Sequence, residues 1–348
     1  MLKIGHLQFA HPFVQAALSG YSDLAMRRLA RRYGASYTLN EVVLDKIVLQ
    51  KRRGGHSFLR VPPDDHPVGG QLMGADPTVF APAAAAMAEA GYDVIDINFG
   101  CPVRKVLGRC RGGFLLSQPD TALEIVRSVF DAVGKSRPVT LKMRRGMDDS
   151  PEAERNFFEI LDGAFEIGIS AVTVHGRTVE QRYVGPSQWS FLARVKRHVG
   201  DRTILGSGDL FTPEACVRMI EETGVDGVTI ARGCIGNPWV FEECRALWAG
   251  EPLPPPPSIA AQREAIEYHW TQCVAETGLE MAGKVMRKFG IKYAELHPLH
   301  LDVRNAFIAV KTSDEFMGVL ERWYDPAREL PPVVRREGCG DLIAAGAE

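Results

Sequence analysis

The sequence predicts a (β/α)8 barrel (TIM barrel) followed by a small all-helical C-terminal domain, and three observations lead to that prediction. Eight short runs rich in β-branched residues occur within the first 250 of 348 residues, and amphipathic helical patterns separate most of them. No GxGxxG motif follows the first run, which argues against the alternative, a doubly wound sheet. A proline-rich stretch, GEPLPPPPSIA, then precedes segments that all have helical spacing.

Each predicted strand is a short apolar run that a helical pattern or a turn follows. The predicted strands are residues 14–18, 37–42, 68–73, 94–98, 139–143, 171–175, 203–207 and 227–231. The helical patterns between and after them are residues 23–33, 77–90, 121–133, 152–167, 189–198, 212–222 and 238–248. Residues 43–66 are the least regular and are predicted to be loop with only short helix.

These elements divide the chain into four parts. Residues 1–250 form the predicted barrel, and residues 251–257 are a proline-rich, semi-rigid linker. Residues 258–325 are predicted to be a small helical domain. The tail, residues 326–348, is rich in proline and charge, so we expect it to be loosely ordered.

Composition excludes several classes of protein. The net charge of −2 excludes a chain that is basic throughout, and no apolar stretch approaches the ~20 residues of a membrane span. The N-terminus has no pattern of an export signal. The seven cysteines form no CxxC pair and have no zinc spacing, and His297 and His300 flank a proline in a turn. We therefore expect a reduced, cytoplasmic protein with neither a metal nor a membrane partner.

Positive charge is concentrated in one early segment. Between residues 27 and 60, nine basic residues accompany only two acidic ones, Glu41 and Asp45. The basic residues are Arg27, Arg28, Arg31, Arg32, Lys46, Lys51, Arg52, Arg53 and Arg60. A local basic surface can bind a polyanion without a basic overall charge. A solvated helix face beside a charged loop is the alternative interpretation.

Polar residues or glycines follow six of the predicted strands, where a barrel of this type forms its active face. The segments are residues 71–74, 98–101, 142–146, 175–178, 206–209 and 231–233. The last two are glycine-rich turns of the kind that hold a phosphate, although ordinary tight turns are the alternative. Lys142 is placed to set a cation beside a cofactor that gains negative charge, or else it points to solvent. His175 is either part of this site or a core histidine.

The stretch DINFGCPVRK places a lone cysteine, Cys101, between a glycine and a proline where a buried strand ends. On the loop after the fourth strand, its thiol would face the mouth of the barrel. Arg104 and Lys105 would favour the thiolate or attract an anionic substrate. The alternative is a small buried hydrophobic residue, which is common for a free cysteine.

Together these segments resemble the tRNA-dihydrouridine synthases, flavin enzymes that reduce a uridine in folded RNA. The resemblance covers nearly the whole chain and includes AALSGYSDLAMRR, GGQLMG, DINFGCPVRKV, VTLKMRRG, VHGRT, GSGDL, ARGCIGNPWVF, MRKFGIKY and DVRNAFIAV. The Asn-x-Gly-Cys-Pro element with its basic residues is the most specific mark. Three positions depart from the family pattern: Ala17 stands for a proline, Ser207 for an asparagine and Ala231 for a glycine.

The resemblance implies a role for each site residue. FMN would contact Ala17, Leu18, Ser19, Gln71, Lys142, His175, Ser207, Gly208, Asp209, Ala231 and Arg232. Cys101 would be the general acid, protonating C5 of the uracil while hydride passes from reduced FMN to C6, with NADPH or NADH as the reductant. Residues that would bind the substrate are Asn98, Arg104, Lys105, Arg177, Arg287 and Lys288.

The implied partner is tRNA, although a ribosomal RNA would need the same chemistry, and we expect a monomer. Two other functions remain open. One is an FMN-dependent barrel oxidoreductase that acts on a free pyrimidine-type molecule, for which a helical domain and a basic segment would be unnecessary. The other is a non-catalytic RNA-binding relative.

Overall fold

Eight parallel strands close into a barrel in the computed structural model, which describes residues 1–50 and 59–336. The strands are β1 (Leu2–Ile4), β2 (Leu7–Phe9), β3 (Phe13–Gln15), β4 (Tyr37–Leu39), β5 (Val43–Leu44), β6 (Val68–Met73), β7 (Val94–Phe99), β8 (Val139–Arg144), β9 (Ala171–His175), β10 (Ile204–Ser207) and β11 (Gly227–Ile230). From β3 and β4 the ring continues through β6 to β11, and β11 pairs with β3 to close it. The predicted barrel is confirmed.

Side-chain hydrogen bonds shift the ends of two predicted strands. The first barrel strand ends at Gln15, because the Ser22 hydroxyl accepts a hydrogen bond from the Leu18 amide (2.8 Å) and holds the following residues in a turn. Of the run predicted at residues 37–42, only Tyr37–Leu39 form β4, and β5 begins beyond the run at Val43. Between them the Asn40 side chain, rather than another residue of the ladder, accepts the hydrogen bond of the Gln71 amide (2.8 Å). The antiparallel hairpin of β1 and β2 was not predicted.

Helices cover the outside of the barrel and continue beyond it. Within the described residues they are α1 (Leu24–Arg32), α2 (Asp45–Val48), α3 (Pro77–Glu89), α4 (Arg104–Leu107), α5 (Pro119–Val133), α6 (Pro151–Ile167), α7 (Trp189–Val199), α8 (Pro213–Thr223), α9 (Val240–Trp248), α10 (Ile259–Thr277), α11 (Leu279–Ala294), α12 (His300–Ala309) and α13 (Ser313–Trp323). None of these helices is both long and apolar enough to cross a bilayer.

The two faces of the barrel strands differ in polarity. The outward face is apolar, as in Ile95, Ile97 and Phe99 of β7, and packs in the core beneath the helices. The inward face is apolar at its N-terminal end, where Val94 and Leu205 join the β1–β2 hairpin in a second cluster. Nearer the C-terminal ends the inward residues are polar. Hydrophobic residues therefore close one end of the barrel, and polar side chains that can bind a ligand line the other.

The C-terminal helices α10 to α13 pack against the first helix of the barrel. Arg28 in α1 donates to the Gln272 side chain in α10 (2.9 Å), and the Arg32 guanidinium lies 4.6 Å from the centre of the Tyr268 ring. On the other side, Gly236 lies so close to Lys292 in α11 that an added Cβ would meet its carbonyl carbon at 2.5 Å. The helices are therefore joined to the barrel by close contacts on two sides.

The tail differs from the prediction of loose order over residues 326–336. The Val333 amide donates to the Pro257 carbonyl (2.9 Å), and the Val334 amide donates to the Leu296 carbonyl (2.8 Å). Arg335 then pairs with Glu243 at 3.0 Å. These backbone and ionic contacts hold the tail, although it contains no helix or strand over these residues. Residues 337–348 lie outside the described residues.

Acidic residues distant in sequence neutralise much of the basic segment. Arg27 pairs with the fully buried Asp65 at 2.5 Å, and Arg31 lies 3.5 Å from the same carboxylate. Arg28 pairs with Asp64 at 2.7 Å. Lys51, Arg52 and Arg53 lie outside the described residues. The interpretation of this segment as a local basic surface for a polyanion is therefore wrong for Arg27 and Arg31, whose guanidinium groups face the buried Asp65.

We expect Arg27→Met to destabilise the fold rather than to weaken RNA binding specifically. Within the described part of the chain, the substitution leaves the buried Asp65 carboxylate with the longer ion pair to Arg31, and breaking a buried pair costs about 3 kcal/mol. Urea unfolding measures the loss, and Lys46→Met, at an exposed position, should change the unfolding free energy by less than about 0.5 kcal/mol. Unchanged stability with weaker RNA binding would restore the original interpretation.

Candidate active site

The strand register brings the predicted polar residues together at the C-terminal mouth of the barrel. Asn98 in β7 is the register partner of Lys142 in β8. His175 in β9 has Arg144 of β8 on one side and Ser207 of β10 on the other. Residues in register on adjacent parallel strands point to the same face of the sheet. Side chains from four strands thus line one surface.

A buried hydrogen-bond chain crosses three strands beneath this surface. The Thr140 hydroxyl donates to Asp96 (2.5 Å), the Gln71 amide donates to the other Asp96 oxygen (2.6 Å), and the Asn98 amide donates to the Gln71 carbonyl oxygen (2.7 Å). Burial raises the pKa of Asp96, while the bonds from Thr140 and Gln71 and the charge of Lys142 oppose the increase. The chain fixes the orientation of the Gln71 and Asn98 amides.

Asn98 also holds the backbone of Cys101. Its side-chain oxygen accepts hydrogen bonds from the amides of Gly100 (2.9 Å) and Cys101 (3.1 Å). From the other side Gly112, with φ of 58°, packs so closely that an added Cβ would lie 2.9 Å from the Cys101 Cβ. Only glycine satisfies both the positive φ and this approach without strain. The cysteine is therefore held on a rigid loop at the mouth.

The structure corrects the expected charge state of Cys101. Burial raises the pKa of its half-buried thiol, and the smaller opposing effects come from the Val103 amide and from Arg144 and Lys142. Arg104 and Lys105, which were expected to favour the thiolate, are exposed on α4. At neutral pH the group therefore keeps its proton, which suits a proton donor better than a nucleophile.

Lys142 places a positive charge at the mouth. Burial, with a further contribution from Arg144, lowers the pKa of its ammonium to about 8, although Asp96 and Cys101 act in the opposite direction. Among the residues that the structure describes, this ammonium has no hydrogen-bond partner. An ammonium that is partly removed from water and lacks a protein partner is ready to bind an electronegative group of a ligand.

The Arg144 guanidinium, by contrast, is used in hydrogen bonds within the protein. It donates to the carbonyls of Gly100 (2.9 Å) and Thr178 (2.8 Å), and so ties the loop that carries Cys101 to the loop after β9. Burial lowers its pKa to about 10. Arg144 was not predicted to have a role in the site; its position at the end of a strand, two residues after Lys142, was the available signal.

His175 is neutral and has a defined tautomer. Burial and the surrounding cations Arg144, Lys142 and Arg177 hold its pKa well below the ordinary value. Its Nδ1 accepts a hydrogen bond from the Arg177 amide at 3.2 Å, so the hydrogen-bond pattern assigns the ring proton to Nε2. The ring therefore presents an uncharged N–H donor.

Arg177, predicted to bind the substrate, has its guanidinium engaged inside the fold. Its side chain is fully buried, and it pairs with Asp209 through bonds of 2.7 and 2.8 Å. Asp209 also accepts a hydrogen bond from the Ser187 amide (2.7 Å). This pair fixes the turn that contains Ser207 and Gly208, so both residues shape the site from behind.

The glycine-rich turns after β10 and β11 pack backbone against backbone. A Cβ at Gly233 would lie 2.0 Å from the Leu210 carbonyl oxygen, so no larger residue fits. Arg232, at the beginning of the second turn, lies between two rings, 4.7 Å from that of Tyr183 and 5.1 Å from that of Phe211. Ala231 has φ of −99° and ψ of −104°, so it does not use the left-handed region that favours glycine.

The loop after β3 meets the C-terminal helices. Ala17 and Leu18 are half-buried and Ser19 is exposed. Lys288 in α11 donates from its ammonium to the Gly20 carbonyl and lies 5.4 Å from the centre of the Tyr21 ring. Lys288, which was predicted to bind RNA, therefore helps to hold this loop in place. Arg287 is exposed beside it, with one long contact of 3.5 Å to the Val310 carbonyl.

Within residues 1–50 and 59–336, no group of three or more His, Cys, Asp or Glu side chains is arranged to hold a metal ion. The donors at the mouth are an amide, an ammonium and an imidazole N–H, together with glycine-rich turns. Such a set suits an organic ligand that carries hydrogen-bond acceptors and a phosphate.

Comparison with known proteins gives a consistent result. A family model described as dihydrouridine synthase (Dus) matches residues 14–327. A protein of Mycobacterium tuberculosis named probable tRNA-dihydrouridine synthase is 34% identical over 330 residues, which is 92% of this chain and 84% of that protein. The tRNA-dihydrouridine synthase B of Pseudomonas aeruginosa is 33% identical over 315 residues, or 90% of this chain and 93% of that protein.

Solved structures that resemble the chain share its barrel. An old yellow enzyme homologue from Zymomonas mobilis has a TM-score of 0.53 at 15% identity, over 73% of this chain and 92% of that one. Histamine dehydrogenase from Rhizobium sp. 4-9 has a TM-score of 0.55 at 15% identity, over 78% of this chain. The chain spans half the length of that dehydrogenase. At this identity the likeness shows the fold alone.

Proposed function

The chain belongs to the dihydrouridine synthase family, and on that premise we propose that it reduces a uridine of folded tRNA to 5,6-dihydrouridine with bound FMN. The names of the relatives support the substrate and the reaction. The observation that carries the proposal is the position of the Cys101 thiol, which Asn98 holds on the loop that begins beside Lys142 and whose pKa is raised by burial.

The residues at the mouth fit FMN. Lys142 and the His175 Nε2–H would bind the polar edge of the flavin ring, and Gln71 would orient it from the buried hydrogen-bond chain. The turns at Ser207–Gly208 and Ala231–Arg232 would hold the phosphate, with Asp209 shaping the first of them. Ala17, Leu18 and Ser19 would contact the ring from the loop after β3. When bound, FMN supplies the hydride that C6 of the uracil receives, after reduction by NADPH or NADH.

The protein supplies placement and one proton. The Cys101 thiol would donate its proton to C5 of the uracil, and the raised pKa keeps that proton available at neutral pH. Asn98 holds the cysteine in place and would help to position the base. The Lys142 cation stabilises negative charge that builds up nearby, an effect that partial burial strengthens.

The target uridine must leave its base stack to reach this mouth, at a cost of a few kcal/mol. Exposed basic residues on the loop beyond Cys101, namely Arg104, Lys105 and Arg109, and Arg287 on α11, would bind the RNA backbone and offset that cost. Recognition would then depend on RNA shape more than on sequence, and affinity should fall as salt rises. Equal affinity at low and high salt would contradict this role.

The test is to measure dihydrouridine by mass spectrometry in separated tRNA and rRNA from cells that lack the gene. We expect one dihydrouridine to be lost from tRNA and restored by the wild type but not by Cys101→Ala. Loss of dihydrouridine from rRNA instead would mean that the substrate is rRNA and that the proposed reaction is the same. No loss from either fraction, in a strain without another synthase, would contradict the proposal. Activity of the purified protein on free uracil or dihydroorotate would then favour a small-molecule reductase.

A further inference from the structure

The C-terminal tail ends, within the described residues, on the back of the second glycine-rich turn. Residues 326–336 lie between the barrel and the C-terminal helices, held by the bonds of Val333 and Val334 described above. The last described residue is Arg336, whose side chain is 7% exposed. No step of the proposed reaction uses this buried cation.

Arg336 binds the turn through three backbone carbonyls. One terminal nitrogen of its guanidinium, Nη1, donates to the carbonyls of Arg232 (3.1 Å) and Gly233 (2.9 Å). The other, Nη2, donates to the carbonyl of Ile235 (3.0 Å) and to the Glu295 carboxylate (3.0 Å). Burial lowers the pKa of Arg336, and the Glu295 carboxylate opposes that effect.

This arrangement fixes which way the turn faces. Three carbonyls of residues 232–235 converge on one planar group, and the rigid fork of a guanidinium allows little rotation of the peptides. Gly233 also packs so closely against the Leu210 carbonyl that no Cβ fits there, which further restricts the turn. In the peptide that joins Arg232 to Gly233, the Gly233 N–H points away from Arg336, because N–H and C=O point in opposite directions in a trans peptide. The amides of Cys234 and Ile235, by contrast, donate within the turn to the carbonyls of Ala231 and Arg232.

We infer that Arg336 is a positioning residue for the phosphate of FMN, acting through the turn of residues 231–235. The inference rests on the proposed function, in that it takes FMN as the ligand. Arg336 does not touch the ligand: it holds the backbone that binds the phosphate, and Glu295 on the segment after α11 holds Arg336. The tail thereby joins the C-terminal helices to the cofactor site.

The experiment compares FMN with riboflavin, which lacks the phosphate. Flavin is titrated into apoprotein of the wild type, Arg336→Gln, Arg336→Lys and Arg335→Gln, with flavin fluorescence as the readout. Arg335 is the matched control, because it lies on the same tail and pairs with Glu243 without touching the turn. We expect Arg336→Gln to lower the affinity for FMN about tenfold or more and to leave the affinity for riboflavin unchanged. Lysine, a single point donor, should restore only part of the FMN affinity.

Each other outcome is decisive. An equal loss of FMN and riboflavin affinity, or no loss of either, overturns the inference, since a merely structural role would not discriminate the phosphate. A wild type that binds neither flavin contradicts the proposed function instead. If Arg336→Gln does not fold, as judged by circular dichroism, Arg336→Lys retains the buried charge and gives the same FMN-to-riboflavin comparison.

Discussion

Replacing Cys101 with alanine should lower the rate of dihydrouridine formation by about 10²- to 10⁴-fold, the usual contribution of a positioned general acid. The thiol is held by two contacts that the substitution leaves in place, the Asn98 bond to its amide and the packing of Gly112. Only the proton donor is therefore lost. The rate is measured with saturating RNA, by mass spectrometry of the digested product.

The same loop contains a matched control. Cys110 is an exposed free cysteine nine positions further on, and Cys110→Ala should leave the rate unchanged. Oxidation of NADPH without RNA should also be unaffected in Cys101→Ala, because that step does not require the protonation of C5. Full activity of Cys101→Ala would mean that another group is the acid, and a loss of flavin would point to a structural role.

Replacing Lys142 with methionine should remove an alkaline limb from the pH profile and lower the rate by about 10²- to 10³-fold. The ammonium has a pKa of about 8, so in the wild type its charge is present below that pH and lost as pH rises through it. The wild-type rate should fall above about pH 8 in parallel. The methionine variant should be slow at every pH and show no such limb. Rates at saturating RNA from pH 6 to 10 test this.

Measuring the stability of Lys142→Met shows whether its slow rate comes from the lost charge or from a damaged fold. The folded-state pKa of Lys142 lies below its ordinary value of 10.5, so the unfolded chain binds more protons and stability rises with pH between about 8 and 10.5. At neutral pH the buried charge costs stability, and Lys142→Met should unfold at a higher temperature than the wild type. Lys135→Met, at an exposed position before the same strand, should change neither rate nor stability. A variant that is slow and also less stable would contradict this account of Lys142.

The positions of the strands and of most mouth residues followed from local pattern. Alternation with a period of two places Asp96 and Asn98 on one face of β7 and Thr140 and Lys142 on one face of β8, and parallel register brings those faces together. That is why residues predicted separately at strand ends lie around one mouth. The hairpin of β1 and β2 was missed because two strands of three residues carry too little pattern to identify.

Burial could not be predicted in the same way, and it changed the chemistry assigned to particular groups. From the sequence, Cys101 stood beside Arg104 and Lys105, which favoured a thiolate. In the fold those two side chains point to solvent, and desolvation of the thiol outweighs the charges of Arg144 and Lys142. The balance between desolvation and charge depends on what surrounds a group in three dimensions.

The barrel, the polar ends of its strands and the family could be predicted from the sequence, because alternation, strand-end polarity and the Asn-x-Gly-Cys-Pro element are local features. The roles of the arginines could not, because they depend on contacts between distant parts of the chain. Arg27 pairs with Asp65, 38 residues away, and Arg177 pairs with Asp209, 32 residues away. Arg336 donates to the backbone carbonyl of Arg232, 104 residues away. A guanidinium has the same charge in each place, and its role depends on which distant acceptors the fold brings within hydrogen-bonding distance.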